Sequence, residues 1–577
     1  MIQRKFLMAL AAASMLQSAL MGDDDQPVSV IPGENQLIAV NPALKESDST
    51  ATKFQGVYIT SKREDILSNG RPNIKGVEYK DFIYKADEVK INKIIAPFFG
   101  RPLTPQLLAD LREALNEYIK SVHPAARVLF PKQHAINGVV QILISAHVLG
   151  ETRYKGNQWY SEAYLSRHLH VSSGKEIADD ALLNDFSWIN RNPFQRVSVA
   201  YVPSKVPGVM DLEITTIDRY PLRLYGRSDN TGNAATGVMR FATGFSWGNA
   251  FWVGDILTYE YSTSNIEKRV LLNKFNYSSF LPWRHILTVS GNYNIIKPVV
   301  VFGESKTVNY GSRLRYTIPF KPLFIPFGQD ITFGADWKHY TNRTLSRLTG
   351  LTNFKTVNET MLYLSYTVSD TLGSHNFSIA FENYWSPFHF LDKQENSDFA
   401  KFRPFAKNHF YYFDLTASYT YYLPLNFAIA TLGRLQRANR TLPPSELMSA
   451  GGYSTVRGYK ESVVSGDNAL IANFEFRAPP ITFFRKLKDK LIFLGFVDYG
   501  FVNNFKVTQP KSRNKPRNHV NEHLFSSGAG ARYNINPYLS FRCDYGFKLH
   551  DLYYTSKTMR KAVAGSGRWH MGLLLSY

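Results

Sequence analysis

The stretch Gly451-Gly452-Tyr453-Ser454-Thr455-Val456-Arg457-Gly458-Tyr459 decides how the rest of this 577-residue chain is interpreted. It interrupts a long run of strand-like patterns, and its arginine is followed directly by a glycine and a tyrosine. No soluble catalytic motif has this form. We therefore expect a loop that is surrounded by strands, and the sequence on both sides is expected to supply them.

Apolar and polar residues alternate along much of the sequence after Tyr220. Residues 411–421 show this most clearly, because the odd-numbered positions are aromatic or aliphatic and the even-numbered positions carry a carboxylate or a hydroxyl group. Residues 239–247, 257–261 and 377–382 repeat this period of two. A charge that faced lipid at mid-membrane would cost roughly 2–4 kcal/mol, so charges confined to one face are informative. The pattern predicts a transmembrane barrel. A soluble β-sandwich also alternates, but it rarely needs so many strands of about ten residues.

Composition also favours a barrel over a bundle of membrane helices. Aromatic residues make up 14% of the chain, with 34 Tyr and 40 Phe, and these residues suit strands and the girdles of membrane barrels. Mean hydropathy is -0.24. After the N-terminus no run approaches the roughly 18 apolar residues of a membrane helix. A barrel escapes this test because its lipid-facing and lumen-facing residues alternate.

The formal net charge of +20 at pH 7 has three possible origins. A solvated basic surface, a nucleic-acid-binding surface and a basic channel interior would each produce it. The solvated surface and the channel interior are weighed equally, and both above nucleic-acid binding, so we expect no nucleic-acid partner. Cys543 is the only cysteine, so no disulfide can form within the chain.

An export signal is expected at residues 1–22. A basic pair precedes an apolar segment at residues 6–16, and three aspartates follow, which is the arrangement of a secretory signal peptide. Residues 23–75 show no strong periodicity and are rich in Pro, Gly, Ser and Asp. We expect a linker there, with one strand at residues 56–59.

Two similar α/β units are expected before the barrel, at residues 76–146 and 147–219. In the first unit, Thr104 and Pro105 have the form of a helix N-terminus. Leucine and isoleucine then recur at helical spacing over residues 108–119. The pattern in each unit predicts the order β-α-α-β-β.

Three motifs resemble those of the Omp85 superfamily of outer-membrane barrels. Val456-Arg457-Gly458-Tyr459 is similar to the loop motif of the superfamily, and two strand motifs follow it, Phe-x-Asp-x-Gly and Gly-x-Gly-x-Arg. The resemblance implies that the loop folds into the lumen, where Arg457 pairs with Asp498 on the wall. A guanidinium can give a carboxylate two charge-assisted hydrogen bonds. The glycines of the strand motifs would leave space for the loop. The wall residues are Phe496, Asp498, Gly500, Gly528, Gly530 and Arg532.

Two further segments extend the resemblance. The two α/β units resemble POTRA domains. Residues 570–577 resemble the assembly signal of outer-membrane barrels, with His570 as its polar residue, then Gly572, the hydrophobic Leu575 and the aromatic Tyr577. The resemblance implies sixteen antiparallel strands over residues 220–577, or about 22 residues for each strand with its connection. The expected fold class is thus α+β POTRA domains followed by an all-β transmembrane barrel.

Two POTRA domains before such a barrel are similar to the two-partner secretion transporters, the hemolysin secretion/activation branch. The resemblance implies a protein in the outer membrane of a Gram-negative-type bacterium, with its POTRA domains in the periplasm, that exports a large unfolded exoprotein. Expected partners are this secreted client, outer-membrane lipid and, during biogenesis, the barrel-assembly machinery and periplasmic chaperones. That branch often begins with a helix that plugs the lumen, and residues 23–75 show no such helix. An Omp85-type assembly factor and a passive pore remain as alternatives, although a passive pore would need neither POTRA domains nor the Arg457 loop.

Catalytic and metal-binding motifs are not expected to carry the function. Residues 244–248 spell Gly-x-Ser-x-Gly, but a nucleophile elbow needs a strand, a sharp turn and a helix, whereas Ser246 lies within an alternating strand pattern. His168 and His170 are two residues apart and would not share a helix face. The sequence has no cysteine and histidine set with zinc spacing and no phosphate-binding Gly-Lys-Ser/Thr loop. We expect no enzyme, no cofactor and no metal.

Overall fold

The computed structural model describes residues 52–123, 125–177, 179–205, 209–266, 269–320, 327–505, 521–552 and 564–577. The predicted signal peptide lies outside these ranges, and so does the linker up to residue 51. The described chain forms two compact units, with the boundary between Arg219 and Tyr220. Within the described ranges, no helix is both long enough and apolar enough to cross a membrane.

The first α+β domain contains a four-stranded sheet in the order β2-β1-β4-β3. β1 is an inner strand that runs parallel to both of its neighbours, whereas β3 and β4 are antiparallel. Because β1 falls before residue 76, this domain begins earlier than its predicted boundary, and the linker ends before β1. The elements are β1 (Gly56–Thr60), β2 (Gly76–Lys80), α1 (Glu88–Ile95), α2 (Pro105–Val122), β3 (Ala126–Leu129) and β4 (Val139–Ala146).

Helix α2 covers this sheet and begins where the sequence predicts. The Leu107 amide donates to the Thr104 hydroxyl at 3.2 Å, which satisfies one of the free amides of the first turn. Pro105 occupies the first helical position. The buried face of the helix consists of Leu107, Leu111, Leu115 and Ile119.

The second α+β domain has a three-stranded sheet in the order β5-β7-β6. β5 is parallel to β7, and β6 is antiparallel to it. Both domains therefore contain the predicted β-α-α-β-β order, and the first domain adds the edge strand β2. The elements are β5 (Val148–Lys155), α3 (Glu162–Arg167), α4 (Asp179–Ile189), β6 (Gln195–Pro203) and β7 (Val209–Asp218).

The second unit is a closed barrel of sixteen long antiparallel strands. β26 pairs with β8 and closes the ring, β13 is a two-residue adjunct of β14, and β20 with β21 forms a separate hairpin. The elements are β8 (Leu222–Asp229), β9 (Arg240–Ala250), β10 (Asp255–Ser264), β11 (Val270–Phe280), β12 (Ile286–Ile296), β13 (Val299–Val300), β14 (Gly303–Phe320), β15 (Gly328–Ser346), β16 (Thr352–Leu372), β17 (His375–Ser386), α5 (Asn396–Phe402), β18 (Phe410–Tyr422), β19 (Ala428–Ala438), β20 (Met448–Ala450), β21 (Val464–Gly466), β22 (Asn468–Arg477), β23 (Asp489–Asn503), β24 (Asn521–Ile535), β25 (Leu539–Lys548) and β26 (Gly567–Ser576).

The two faces of the barrel wall are those that the period of two predicts. On β18, Tyr412 and Asp414 are buried inside the barrel. On β17, Ile379 and Phe381 are among the exposed apolar residues of the outer surface. The predicted fold class, α+β domains followed by a sixteen-stranded barrel, is therefore confirmed.

Candidate functional site: an arginine loop inside the barrel

The connection between β19 and β22, residues 439–467, folds into the barrel, and we call it the inward loop. The short hairpin β20–β21 forms its base, with Met448 opposite Gly466. At its tip, the Gly452 amide donates to the Val456 carbonyl at 2.9 Å. Gly451 and Gly452 have φ angles of 100° and 109°, which side chains with a Cβ rarely adopt. This turn presents the next residues to the barrel wall.

Arg457 is held by Asp498, which lies on β23. Its Nε donates to Asp498 Oδ2 at 2.7 Å, and its Nη2 donates to Oδ1 at 2.8 Å. The Arg457 backbone amide also donates to Oδ2 at 3.0 Å. Asn473 Nδ2 adds a bond to Oδ1 at 2.8 Å. Arg457 is only 2% exposed and Asp498 is fully buried, so this bidentate pair is shielded from water.

Two more carboxylates surround the same guanidinium. Arg457 Nη1 donates to Glu475 Oε1 at 2.7 Å and lies 3.4 Å from Asp544 Oδ2. Asp544 also accepts from Arg532 Nη2 at 3.1 Å and from Arg542 Nε at 2.7 Å. Glu475 also accepts from Arg477 Nη2 at 2.8 Å. Three carboxylates and four guanidiniums thus form one network, which compensates the charges that the fold buries.

The strand-motif glycines make room for this network in two ways. A Cβ on Gly500 would lie 2.8 Å from Val456 Cγ2, so this glycine accommodates the loop itself. A Cβ on Gly528 would lie 2.1 Å from the Tyr545 carbonyl oxygen and 2.5 Å from Phe496 Cζ, and one on Gly530 would overlap Asp544. These two glycines therefore accommodate atoms of the wall and not the loop, contrary to expectation. The Phe496 ring in turn lies under Arg457, whose Cζ is 3.5 Å from the ring centroid, a cation–π contact.

Gly458 and Tyr459 fix the loop to the wall beyond Arg457. The Gly458 amide donates to His570 Nε2 at 3.0 Å, so this imidazole nitrogen acts as an acceptor. Gly458 has φ of 89°, and a Cβ on Gly546 of β25 would lie 2.6 Å from the Gly458 nitrogen. The Tyr459 hydroxyl donates to the His550 carbonyl at 2.6 Å. Backbone and side chains of the loop thus contact the wall at close range.

The predicted assembly signal on β26 divides between the two faces of the wall. His570 is buried in the lumen, where it meets Gly458, and a Cβ on Gly572 would lie 2.6 Å from the Tyr453 hydroxyl oxygen. Leu575 and Tyr577 are exposed on the other face, at 50% and 87%. Two of these four residues therefore also contact the inward loop.

Sequence reasoning missed four residues of this site, and a signal for them was present. Glu475 lies on the polar face of an alternating strand pattern that ends at Arg477. Arg542, Asp544 and Gly546 recur at every second position of β25, which places them on one face. Extending the period of two over these strands would have predicted that all four line the lumen.

The Gly-x-Ser-x-Gly sequence and the pair His168 and His170 lie away from the Arg457 site. Ser246 is within β9, and its hydroxyl is 3.1 Å from that of Thr258 on the adjacent strand β10. In the second α+β domain, the His170 amide donates to Asp185 at 2.6 Å, and His168 Nδ1 lies 2.9 Å from the Tyr164 carbonyl. Within the described ranges, no three His, Cys, Asp or Glu side chains are grouped so that they could hold a metal ion.

Comparisons with known proteins agree with this architecture. A family model described as haemolysin secretion/activation protein ShlB/FhaC/HecB matches residues 208–533. The heme/hemopexin transporter protein HuxB of Haemophilus influenzae (strain 86-028NP) is 26% identical over 460 residues, which cover 76% of each chain. CdiB from Escherichia coli has a similar fold, with a TM-score of 0.70 and 14% identity, over 100% of this chain and 98% of that one. BamA from Haemophilus ducreyi, in a form lacking POTRA domains 1-3, gives a TM-score of 0.50 and 16% identity, over 88% of this chain and 98% of its own.

The family match spans more than half of the chain and includes the inward loop, β23 and most of β24. A closed barrel with alternating faces, preceded by α+β domains, is also what an outer-membrane transporter of this kind requires. The barrel therefore spans the outer membrane, and the α+β domains are POTRA domains that lie in the periplasm. The chain belongs to the haemolysin secretion/activation family, ShlB/FhaC/HecB.

Proposed function

We propose that this protein exports one large, unfolded exoprotein through its barrel, and that release of Arg457 from its wall site accompanies passage of the client. The family's members are outer-membrane transporters for secreted exoproteins, which supports the first statement. The observation that carries the second is the inward loop, which occupies the lumen and is held there by Arg457. Its contacts with the wall are hydrogen bonds and ion pairs, so they can break and form again without covalent chemistry.

The POTRA domains provide surfaces that could receive the client before it enters the barrel. Each sheet ends in edge strands, β2 and β3 in the first domain and β5 and β6 in the second. An extended chain can add to such an edge through main-chain hydrogen bonds, which depend little on the client's side chains. We infer that the client is captured in this way while it is unfolded.

Assembly of other barrels is the second candidate function, and the barrel seam is the observation that favours it. β26 pairs in register with β8 over Gly572–Ser576, and main-chain bonds from Leu224 and Asn230 extend this seam by one residue at each end. β25 pairs with β26 over the nine residues of Leu539–Phe547, so the seam is the shorter pairing. A short seam opens more easily than a long one. The fold of CdiB is nevertheless closer to this chain than that of BamA, with TM-scores of 0.70 and 0.50.

Removal of the protein from its host separates these two functions. We expect one large exoprotein to disappear from the culture medium, while other barrel proteins remain at normal levels in the outer membrane. Both fractions are measured by quantitative mass spectrometry, with the wild-type gene restored as the control. A parallel fall of many barrel proteins would instead identify an assembly factor, and an unchanged medium would contradict export.

Biogenesis of the barrel requires partners of its own. We propose that periplasmic chaperones carry the unfolded chain and that the barrel-assembly machinery inserts it. Its signal would be His570, Gly572 and Leu575 of β26 with Tyr577 directly after this strand. Nucleic acid is not among the proposed partners. At the site described above, Arg457, Arg532 and Arg542 each contact a carboxylate.

We propose no catalytic step, and Ser246 provides the test. Its hydroxyl meets Thr258 on the adjacent strand and is not presented on a turn before a helix. Ser246→Ala should leave export of the client within about twofold of wild type. The hydrogen bond between the two hydroxyl groups contributes only about 1 kcal/mol to the stability of the barrel. Secreted client is measured against Thr258→Ala as the matched variant. Complete loss of export in Ser246→Ala alone would argue for a nucleophile.

A further inference from the structure

The inward loop has a second buried contact with the wall, away from Arg457. Lys338 Nζ of β15 lies 2.6 Å from Glu446 Oε1 of the loop. The Tyr412 hydroxyl of β18 donates to Glu446 Oε2, also at 2.6 Å. Glu446 is fully buried and Lys338 nearly so. One residue earlier, the Ser445 hydroxyl donates to Glu359 Oε2 of β16 at 2.9 Å.

This contact and the Arg457 site lie on different strands of the wall. Lys338 belongs to β15, and Asp498, the main partner of Arg457, belongs to β23. In the ring of sixteen strands these two are six places apart. The loop is therefore fixed to the wall at two separate places.

The base of the loop is held separately, next to the strands that it joins. Arg403, just after α5, donates from Nη2 to Asp467 Oδ2 at 3.0 Å and from Nη1 to the Leu442 carbonyl at 2.7 Å. The Leu442 amide also donates to Asp467 Oδ1 at 2.8 Å. These bonds tie the two ends of the loop together beside β19 and β22. They can persist while the middle of the loop moves.

The two wall contacts differ in chemistry. The Arg457 guanidinium binds Asp498 with two parallel bonds, reaches two more carboxylates and stacks on Phe496. The Glu446 carboxylate contacts a lysine, which is a compact charge on a flexible stem, and the Tyr412 hydroxyl. Gln436 Nε2 of β19 also donates to the main-chain carbonyl of Glu446 at 2.9 Å.

We propose that Lys338 and Glu446 form a second anchor of the inward loop, and that the lumen clears only when both this anchor and the Arg457 site have released. Two anchors at separate places on the wall keep the loop inside the lumen when either one opens briefly. The lumen is then sealed in the absence of client although each anchor is reversible. This inference rests on the proposed function only in that the channel opens to let the client pass. Closure of the channel is measurable without any client.

The test is ion conductance of the purified full-length protein in planar lipid bilayers. Glu446→Gln keeps the shape of the side chain and removes its charge, while Lys338 retains Glu359 opposite it on β16. We expect the fraction of time spent open to rise about tenfold, because loss of a hydrogen bond to a charged group has about that effect on an equilibrium. Glu446→Gln combined with Arg457→Ala should open the channel more than either change alone.

Glu304→Gln is the matched control, because Glu304 accepts from Arg347 at 2.9 Å in an exposed pair away from the loop. Its conductance should equal that of wild type, since exposed pairs contribute little. Tyr412→Phe removes one bond to Glu446 and should raise opening by a smaller factor, which keeps the proposal testable if Glu446→Gln does not fold.

Equal conductance of Glu446→Gln, Tyr412→Phe and Glu304→Gln would overturn the second anchor. That result would not contradict the proposed export function, because export is measured separately as client in the medium. Conversely, absence of export from the host would not contradict a channel that is held closed by both anchors.

Discussion

Arg457→Ala is expected to abolish export of the client, to below about a tenth of wild type, while the barrel still reaches the outer membrane. The substitution leaves Asp498 buried and facing Glu475 without the guanidinium between them. Breaking a buried ion pair by removal of one partner costs roughly 3–5 kcal/mol. A tenfold change in an equilibrium constant corresponds to only about 1.4 kcal/mol, so the docked state of the loop tip should be weakened by much more than tenfold. The loop tip should therefore leave its site. Client in the medium and folded barrel in the membrane fraction are the two measurements.

Arg477→Ala is the matched control for this change. Arg477 also pairs with Glu475, through Nη2 at 2.8 Å, but its side chain is 40% exposed and it is not part of the loop. Its removal should leave export near wild type, because exposed pairs contribute at most about 1 kcal/mol. Arg457→Lys should fall between the two, since lysine cannot make both bonds to Asp498. Export by Arg457→Ala equal to that of Arg477→Ala would contradict a role for the pair.

Gly546→Ala is expected to have nearly as large an effect, although it adds only one methyl group. The new Cβ would lie 2.6 Å from the Gly458 nitrogen and 2.9 Å from its Cα, a distance at which backbone must move. Overpacking of this kind costs roughly 1–3 kcal/mol. The loop should be pushed away from β25, so that the Gly458 bond to His570 and the Arg457 contacts are lost together. We expect export to fall about tenfold or more and ion leak through purified protein to rise.

Gly495→Ala provides the comparison for this second change. Gly495 lies on β23 and is exposed on the lipid-facing side, and a Cβ there would meet no heavy atom within 4 Å. The two variants share the substitution and a position within a barrel strand, but only Gly546 faces the lumen and has the loop opposite it. Loss of export in both would show that strand glycines matter for barrel folding and not for docking of the loop.

The sequence predicted the fold and half of the site for identifiable physical reasons. Every barrel strand has one face in contact with lipid, and that face must be apolar. The period of two at residues 411–421 therefore identified a strand of the barrel wall. Arg457 and Asp498 stood out because both motifs resemble those of known barrels. Glu475 and Asp544 lie on equally regular strands, but nothing in the spacing of residues along the chain says which lumen positions a folded-in loop will reach.

Contacts made by the loop between distant segments were beyond sequence reasoning altogether. Lys338 and Glu446 are more than a hundred residues apart, and each is an ordinary charged residue in its local sequence. Arg403 meets Asp467 from a connection whose only regular element is the short helix α5. The strand β1 was underestimated for a similar reason, because five residues in a Pro-rich and Gly-rich segment show their importance only when β2 and β4 are paired on either side.

The contact between Gly458 and His570 has a consequence for the order of events during biogenesis. His570 and Gly572 belong to β26, the strand that completes the ring against β8. The wall site that binds the loop tip is consequently incomplete until β26 is paired in register. This strand supplies His570, the acceptor for the Gly458 amide, and Gly572, which leaves space for Tyr453. The loop can therefore make all of its contacts only after the barrel has closed, and a partly assembled barrel would not be blocked by the docked loop.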